Sequence, residues 1–364
     1  MDGQPDRFFD PSWLRGFVHD VGPLNPIACR DARPMNLAHR EVVGGKTLAN
    51  PCRGYRLALV AGVLIVTATS AAGAAVNHRG LSGNRRRPST VVPTGRDRSG
   101  ADRGAASPVD PGLFEPGACV AFPPTRGHRH ITVFLDAGHG GRDSGAIGTT
   151  RAGRRVAEAN LTLPIELGTA ALLRSEGFRV VVSRTRQTAV ARPRPGSISG
   201  GIYTVKGATR EVAARDVCAN LSRADLLVGI YLDGGSSPLN AGSVTAYDAV
   251  RPFWRSNLRF ADLLQADVLA LMNTRGWGIP NDGVQLDSYL GGPALSAAAA
   301  RYHHLLLLGP AMAGYFTSPS KMPGALIEPL FVTDPFEATI AASAAGQRVI
   351  AAGIAKAVTR YFAR

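Results

Sequence analysis

The residues best suited to chemistry lie where an apolar run meets a glycine-rich turn. Residues 131–135 form the run, and the turn that follows contains His139 and Asp143. Glycines in such a turn permit positive φ angles and close approach of a substrate or metal, while a rigid strand fixes the imidazole. The turn matches neither G-x-G-x-x-G nor the P-loop pattern, which disfavours a nucleotide site. The pattern predicts a functional site at the end of a strand.

Two glutamates are further candidates. Glu158 precedes a predicted helix, and Glu328 ends the apolar run 325–328. Taken alone, Glu158 is typical of a solvated helix N-terminus, and Glu328 is typical of a buried ion pair. Together with His139, however, both occur within a longer and more specific pattern.

That pattern resembles the zinc-dependent N-acetylmuramoyl-L-alanine amidase family over about residues 130–363. The string D-x-G-H-G-G-x-D-x-G-A-x-G, residues 136–148, is the hallmark of that family. Three later segments match in the family's order: the strand ending in Ser183-Arg184-Thr185, the R-x-x-x-A-N…A-D stretch 215–225, and the strand 323–335 with its glutamate and D-P.

The resemblance implies a fold, a cofactor and a reaction. It implies that His139 and Glu158 bind zinc and that the third ligand stands at the position of Tyr231. It also implies that Glu328 is the general base. Asp143 and Asp233 are expected to bind substrate. The expected reaction is hydrolysis of the amide between N-acetylmuramic acid and L-alanine in bacterial peptidoglycan.

This chain departs from the family at Tyr231, where the family has a histidine. A phenol with a pKa near 10 is a far poorer neutral zinc ligand than imidazole, so the change should weaken zinc binding. Three alternatives could restore a third ligand. Tyr231 could bind as a phenolate, Asp233 could take its place, or a histidine from elsewhere, His303 or His304, could complete the site.

The same departure favours a second hypothesis. The domain could be a degenerate amidase that binds peptidoglycan, or regulates another wall hydrolase, without cleaving. The Val-Thr-Asp sequence at 332–334, where the family has a glycine-phenylalanine run, also favours this hypothesis. Retention of His139, Glu158 and Glu328 favours an active enzyme, because a scaffold needs none of them.

The elements that must position these residues alternate between strands and helices. Such alternation predicts an α/β domain with one mixed, twisted sheet of about six strands flanked by helices. Pro164 requires its helix to begin close before it. The strand candidates are 131–135, 179–183, 226–232, 243–247 and 325–328, and the helix candidates are 161–176, 208–222, 255–275, 294–302 and 343–363.

The chain divides into four predicted segments. Residues 1–54 resemble a disordered extension or sequence upstream of the true start. Residues 55–76 contain an uncharged apolar run typical of a signal peptide or a membrane anchor. Residues 77–129 are predicted to be a Gly/Pro/Arg-rich linker, and residues 130–364 the amidase-like domain. This order predicts export to the cell envelope, either secreted or attached to the cytoplasmic membrane.

Charge and cysteine content limit the partners. The net charge of +14 favours an anionic partner such as lipid head groups or cell-wall polymer. No nucleic-acid-binding motif accompanies the charge, so we expect no nucleic acid, and we expect a monomer. The four cysteines form no C-x-x-C pair; Cys119 and Cys218 could form a disulfide in an exported domain, or could remain two buried thiols.

Overall fold

A mixed eight-stranded sheet forms the centre of the computed structural model, which describes residues 105–290 and 296–363. The helices are α1 (Glu158–Ser175), α2 (Val205–Leu221), α3 (Trp254–Asn273), α4 (Ala297–Tyr302), α5 (Pro335–Ala341) and α6 (Ala344–Phe362). The strands are β1 (Ser107–Pro108), β2 (Ala118–Phe122), β3 (Thr132–Ala137), β4 (Ile147–Thr149), β5 (Arg155–Ala157), β6 (Arg179–Arg184), β7 (Ile198–Ser199), β8 (Ile202–Tyr203), β9 (Leu226–Ile230), β10 (Ser243–Tyr247), β11 (Asn281–Leu286) and β12 (Gly324–Glu328).

The order and direction of the strands determine where the predicted site residues lie. The sheet runs β1-β2-β6-β3-β9-β12-β10-β11, and its four central strands β6, β3, β9 and β12 are parallel. Their carboxyl ends therefore meet at one edge of the sheet. β10 is antiparallel to β12, and β11 is parallel to β10, so the carboxyl ends of β10 and β11 lie at the opposite edge. The two remaining strand pairs, β4-β5 and β7-β8, are short hairpins.

Alternating side chains of the central strands fill two cores. In β3, Val133 and Leu135 belong to a core with residues of α1, α3 and α6, whereas Phe134 belongs to a second core with residues of α2. Successive side chains of a strand point to opposite faces, so one apolar run can fill both cores. The sheet is thus covered on both faces, which holds the strand ends rigidly.

The predicted α/β class is confirmed, and the sheet has eight strands rather than about six. The five predicted strands correspond to β3, β6, β9, β10 and β12. Residues 107–122, which the composition placed in the linker, form β1 and β2 at the edge of the sheet. β11 and α5 were also missed, because short elements with glycine, proline or polar residues carry little periodic signal.

Pro164 lies further from the start of its helix than the sequence predicted. It is the seventh residue of α1, which begins at Glu158. A proline inside a helix leaves the carbonyl four residues earlier without its usual donor. That carbonyl belongs to Asn160, which is exposed, so water can satisfy it.

A disulfide joins the edge of the sheet to a helix. Cys119 in β2 is bonded to Cys218 in α2, across 99 residues of sequence, and both residues are fully buried. The sequence had left this pairing open. A cross-link over so long a loop removes conformational entropy mainly from the unfolded chain.

Replacing both cysteines, Cys119→Ser with Cys218→Ser, should therefore lower the free energy of unfolding by about 2–4 kcal/mol. Denaturant unfolding without reductant measures the loss. The matched control is the wild type unfolded with reductant, which should lose about as much stability as the double variant. Equal midpoints for the double variant and the oxidised wild type would contradict the stabilising role of the disulfide.

No single helix among the described residues has the length and apolar composition of a membrane span. Only α5 and α6 together reach that composition, and they are bent by 76° at their junction. The predicted segments 1–54 and 55–76, and residues 77–104 of the predicted linker, lie outside the described residues.

Candidate active site

The predicted site residues meet at the carboxyl edge of the parallel strands. His139 follows β3, Tyr231 follows β9, and Glu328 ends β12. Glu158 begins α1 and reaches the same edge from the side. The parallel register β3-β9-β12 brings the three strand ends together, although they are far apart in sequence.

His139 lies between two carboxylates. Its Nδ1 is 2.8 Å from Asp143 Oδ2, and its Nε2 is 3.1 Å from Glu158 Oε2. Burial lowers the pKa of His139, but the charges of Glu158 and Asp143 outweigh burial and raise this pKa to about 10. The pocket around Nε2 therefore strongly favours a positive charge, whether a proton or a metal cation supplies it.

Asp143 was expected to bind substrate, but its observed partners lie within the turn. Besides Nδ1 of His139, it accepts a hydrogen bond from the amide of Gly145 at 3.0 Å. A carboxylate on Nδ1 assigns the proton to that nitrogen and leaves Nε2 free to bind a metal. The contacts of Asp143 thus fit a residue that orients His139.

Glu158 is held by backbone amides at both oxygens. Oε1 accepts from Leu232 at 2.9 Å and Oε2 from Ala146 at 3.0 Å, and the residue is only 3% exposed. These bonds give both oxygens of the buried carboxylate a donor and fix its direction. Its 3.1 Å separation from His139 Nε2 is close to the ligand spacing expected for two bonds of about 2 Å to one tetrahedral zinc ion.

Tyr231 lies beside His139, but its hydroxyl is directed elsewhere. The two rings meet edge to face with centroids 5.4 Å apart, and the hydroxyl donates to Asp136 Oδ2 at 3.1 Å. Burial and the charge of Asp136 raise the pKa of Tyr231 well above its usual value, which keeps the phenol protonated. The donors of His139 and Glu158 therefore fit zinc, whereas Tyr231 does not, because ligation would require it to leave Asp136.

Asp233 and Glu328 form a second carboxyl pair at this edge. Their side chains interact closely, and the charges of Glu158 and His139 also affect the pKa of Glu328. Burial, followed by the nearby carboxylates, raises the pKa of Glu328 well above its usual value, and burial also raises that of Asp233. Two carboxyls in close contact favour a shared proton, so this pair is poised to bind a cation or to exchange a proton.

Two buried arginines hold the turn that carries His139. Arg215 of α2 forms an ion pair with Asp136 and donates to the carbonyls of Ala137 at 2.8 Å and His139 at 2.7 Å. Arg184 at the end of β6 donates to the carbonyl of Gly138 at 3.0 Å. The motif contained both arginines, but only the tertiary contacts show that they position the histidine.

His304 does not join this site. Its Nδ1 lies 3.0 Å from Asp248 and 3.1 Å from Asp287, which follow β10 and β11 at the opposite edge of the sheet. His303 is an exposed residue in the left-handed conformation after α4. Asp248 and Asp287 hold His304 at the opposite edge, so His304 does not complete the zinc site. That alternative is wrong for His304.

The family model Amidase_3, described as N-acetylmuramoyl-L-alanine amidase, matches residues 133–360. The chain belongs to this family. The match contains all the residues that line the edge described above. Members of Amidase_3 typically depend on zinc, which agrees with the donors at His139 and Glu158.

The individual relatives are distant in sequence. The germination-specific N-acetylmuramoyl-L-alanine amidase of Bacillus subtilis (strain 168) is 26% identical over 231 residues, which are 63% of this chain and 79% of the relative. The N-acetylmuramoyl-L-alanine amidase LytC of the same organism is 26% identical over 208 residues, covering 57% of this chain and 31% of LytC.

Solved amidase structures match over a similar part of the chain. The amidase AmiC2 of Nostoc punctiforme has 21% identity and a TM-score of 0.44, covering 65% of this chain and 100% of AmiC2. The CwlD amidase from Clostridioides difficile, solved in complex with the GerS lipoprotein, has 19% identity and a TM-score of 0.47, covering 64% of this chain and 98% of CwlD.

Proposed function

We propose that this chain hydrolyses the amide bond between N-acetylmuramic acid and L-alanine in peptidoglycan. The observation that carries the proposal is the arrangement within the matched family region. There, the metal-type donors of His139 and Glu158 lie at one strand edge with the carboxyl pair of Asp233 and Glu328.

Glu328 is the proposed general base. With a zinc ion held by His139 and Glu158, the Glu328 carboxylate would stay ionised. That carboxylate would then take a proton from the attacking water and deliver it to the departing amine of L-alanine. Burial and the adjacent charge of Asp233 raise the pKa of Glu328, which favours uptake of that proton. No serine or cysteine nucleophile is needed for this chemistry.

His139 and Glu158 are the proposed zinc ligands. When bound, zinc would lower the pKa of the attacking water and polarise the scissile carbonyl. Asp143 keeps the proton of His139 on Nδ1, and the amides of Leu232 and Ala146 keep Glu158 directed at the same point. The Tyr231 hydroxyl is bonded to Asp136, so we propose Asp233 as the third protein donor. Its carboxylate would have to turn toward the ion, because it does not already lie within 4.8 Å of the donors of both His139 and Glu158.

We also propose that the domain works in the cell envelope. Peptidoglycan lies outside the cytoplasmic membrane, and a disulfide such as Cys119–Cys218 persists in oxidising compartments. The apolar segment 55–76 would then act as the export signal or as an anchor.

A second candidate function is peptidoglycan binding without cleavage. The geometry of Tyr231 favours it, because the third ligand position of the family carries a hydroxyl that is committed to Asp136. In that case the acidic edge would bind muropeptide, and zinc would be held weakly or not at all.

Two replacements of Tyr231 separate these candidates. Tyr231→His should raise zinc affinity on the order of tenfold or more, since outer-shell partners alone change metal affinity by that factor. Tyr231→Phe keeps the ring against Gly138 and removes only the hydroxyl, so zinc affinity should equal that of the wild type. The measurements are zinc titration and release of free stem peptide from muropeptides.

Each outcome has a definite meaning. Release of stem peptide by zinc-loaded wild type supports the amidase, and its absence in both wild type and Tyr231→His supports the binding module. A loss of zinc in Tyr231→Phe would contradict our reading of the hydroxyl and would restore Tyr231 as a ligand.

A further inference from the structure

A separate cluster of metal-type donors lies at the opposite edge of the sheet. Asp248 directly follows β10 and Asp287 directly follows β11, and the parallel pairing of Tyr247 with Leu286 places the two aspartates side by side. His304, two residues after α4, completes the set. We call these three residues the Asp–Asp–His cluster.

The cluster is remote from the proposed active site. β10 runs antiparallel to β12, with Val244 opposite Glu328 and Ala246 opposite Leu326. If this register continues, Asp248 lies beside Gly324, the first residue of β12. Gly324 is four residues from Glu328, which is about 13 Å along the strand at about 3.3 Å per residue. The cluster therefore cannot share a metal ion with His139.

Its donor atoms already converge on one point. Nδ1 of His304 lies 3.0 Å from Asp248 Oδ2 and 3.1 Å from each oxygen of Asp287. One donor atom from each residue can be chosen so that all three lie within 4.8 Å of one another. Ligands that bind one metal ion at about 2 Å have such separations.

Hydrogen bonds among the described residues do not satisfy this cluster. Asp248 and Asp287 are 0% and 1% exposed, and a single imidazole N–H faces three carboxylate oxygens. Asp248 Oδ1 accepts from the amides of Val250 and Arg251, but the buried Oδ2, which is directed at Nδ1, has no hydrogen-bond partner. An unpartnered buried carboxylate oxygen is costly unless a cation binds it.

The neighbouring guanidinium does not fill this role. Arg251 donates to the backbone carbonyls of Leu308, Gly309 and Ser320. Those bonds direct its N–H groups at the 308–320 segment rather than at Oδ2 of Asp248. Among the residues that the structure describes, the imidazole of His304 is thus the only side-chain donor in contact with both buried carboxylates.

We propose that the Asp–Asp–His cluster is a second metal site, which binds a zinc ion through Asp248 Oδ2, Asp287 and Nδ1 of His304. A nitrogen donor and only three protein ligands favour zinc over calcium or magnesium, which prefer larger sets of oxygen ligands. His304 is 17% exposed, so the ion can enter from solvent and a water can complete its coordination.

The site would serve the fold rather than the amidase chemistry. It would join the segment that follows α4 to the ends of β10 and β11. It would add to the bond from the amide of Leu305 to Asp287 and to those from Arg251 to the carbonyls of Leu308 and Gly309. Its metal requires neither Tyr231 nor the proposed active site. Zinc content of the chain would therefore include an ion that plays no part in hydrolysis.

Metal content in a background without the family site tests this proposal. The full chain without a histidine tag carries His139→Ala, is incubated with zinc, and is then separated from free metal. We expect about one zinc per chain in this background, and a loss of at least 80% when His304→Ala is added. The matched control His303→Ala, in the exposed neighbouring histidine, should retain the zinc.

A second measurement avoids the risk that cluster variants fail to fold. Adding zinc to the metal-free His139→Ala chain should raise its Tm, and magnesium or calcium at the same concentration should not. The proposal is overturned if the His139→Ala chain retains no zinc and shows no rise in Tm. It is equally overturned if His304→Ala leaves the zinc content unchanged, or if calcium or magnesium stabilises as strongly as zinc.

Discussion

Replacing Glu328 with glutamine is expected to lower kcat for release of stem peptide by about 10²–10⁴-fold, the usual contribution of a general acid–base residue. Glutamine has nearly the same shape but can neither accept the proton of the attacking water nor return it to the amine. Zinc content should stay unchanged, because the proposed ligands are His139, Glu158 and Asp233.

The measurement needs saturating muropeptide and separate values of kcat and KM. The matched control is Glu176→Gln, an exposed glutamate at the end of α1, which should retain full activity. Release that persists undiminished in Glu328→Gln would overturn the assignment of the base. A rise in KM with no change in kcat would indicate substrate binding instead of proton transfer.

The largest expected loss of stability comes from the buried pair of Arg215 and Asp136. Both side chains are almost completely inaccessible, so Arg215→Met leaves a carboxylate buried without its counter-charge. Breaking such a pair costs about 3–5 kcal/mol of the free energy of unfolding. Because Arg215 also donates to the carbonyl of His139, the variant should bind zinc more weakly than the wild type.

A double variant distinguishes the ion pair from simple loss of packing. Arg215→Met combined with Asp136→Asn removes both charges and should recover part of the stability lost in Arg215→Met alone. Arg210→Met, in a partly exposed arginine of the same helix, is the matched control and should have little effect. The cycle also needs the single variant Asp136→Asn, and denaturant unfolding measures all five proteins. The pair's role would be contradicted if the losses of Arg215→Met and Asp136→Asn simply added in the double variant.

Much of the fold could be predicted from local patterns. The five apolar runs predicted as strands became strands, because burial on both faces of a sheet favours continuous apolar segments. Each of the five predicted helices overlaps an observed helix. The strands β1, β2 and β11 escaped prediction. β1 is only two residues long, β11 contains glycine and polar residues, and the apolar β2 follows a segment of linker-like composition. Only pairing with a neighbouring strand makes them part of the sheet.

The sequence predicted which residues form the site but not which atoms they contact. The motif contained His139, Glu158 and Glu328, and the strand order brings them to one edge. The sequence left Tyr231 as a candidate ligand, yet its hydroxyl turns to Asp136 on the neighbouring strand. The direction of a side chain depends on partners from other segments, which local sequence does not specify.

The sequence by itself determined the family, the α/β class and the set of chemical groups near residue 139, since these depend on residue type and spacing along the chain. Only the tertiary structure decided which donors share a site. It separated His304 from His139, paired Asp248 with Asp287, and joined Cys119 to Cys218. The physical reason is that strand order and direction set the distances between residues far apart in sequence, and these distances decide which charges and ligands meet.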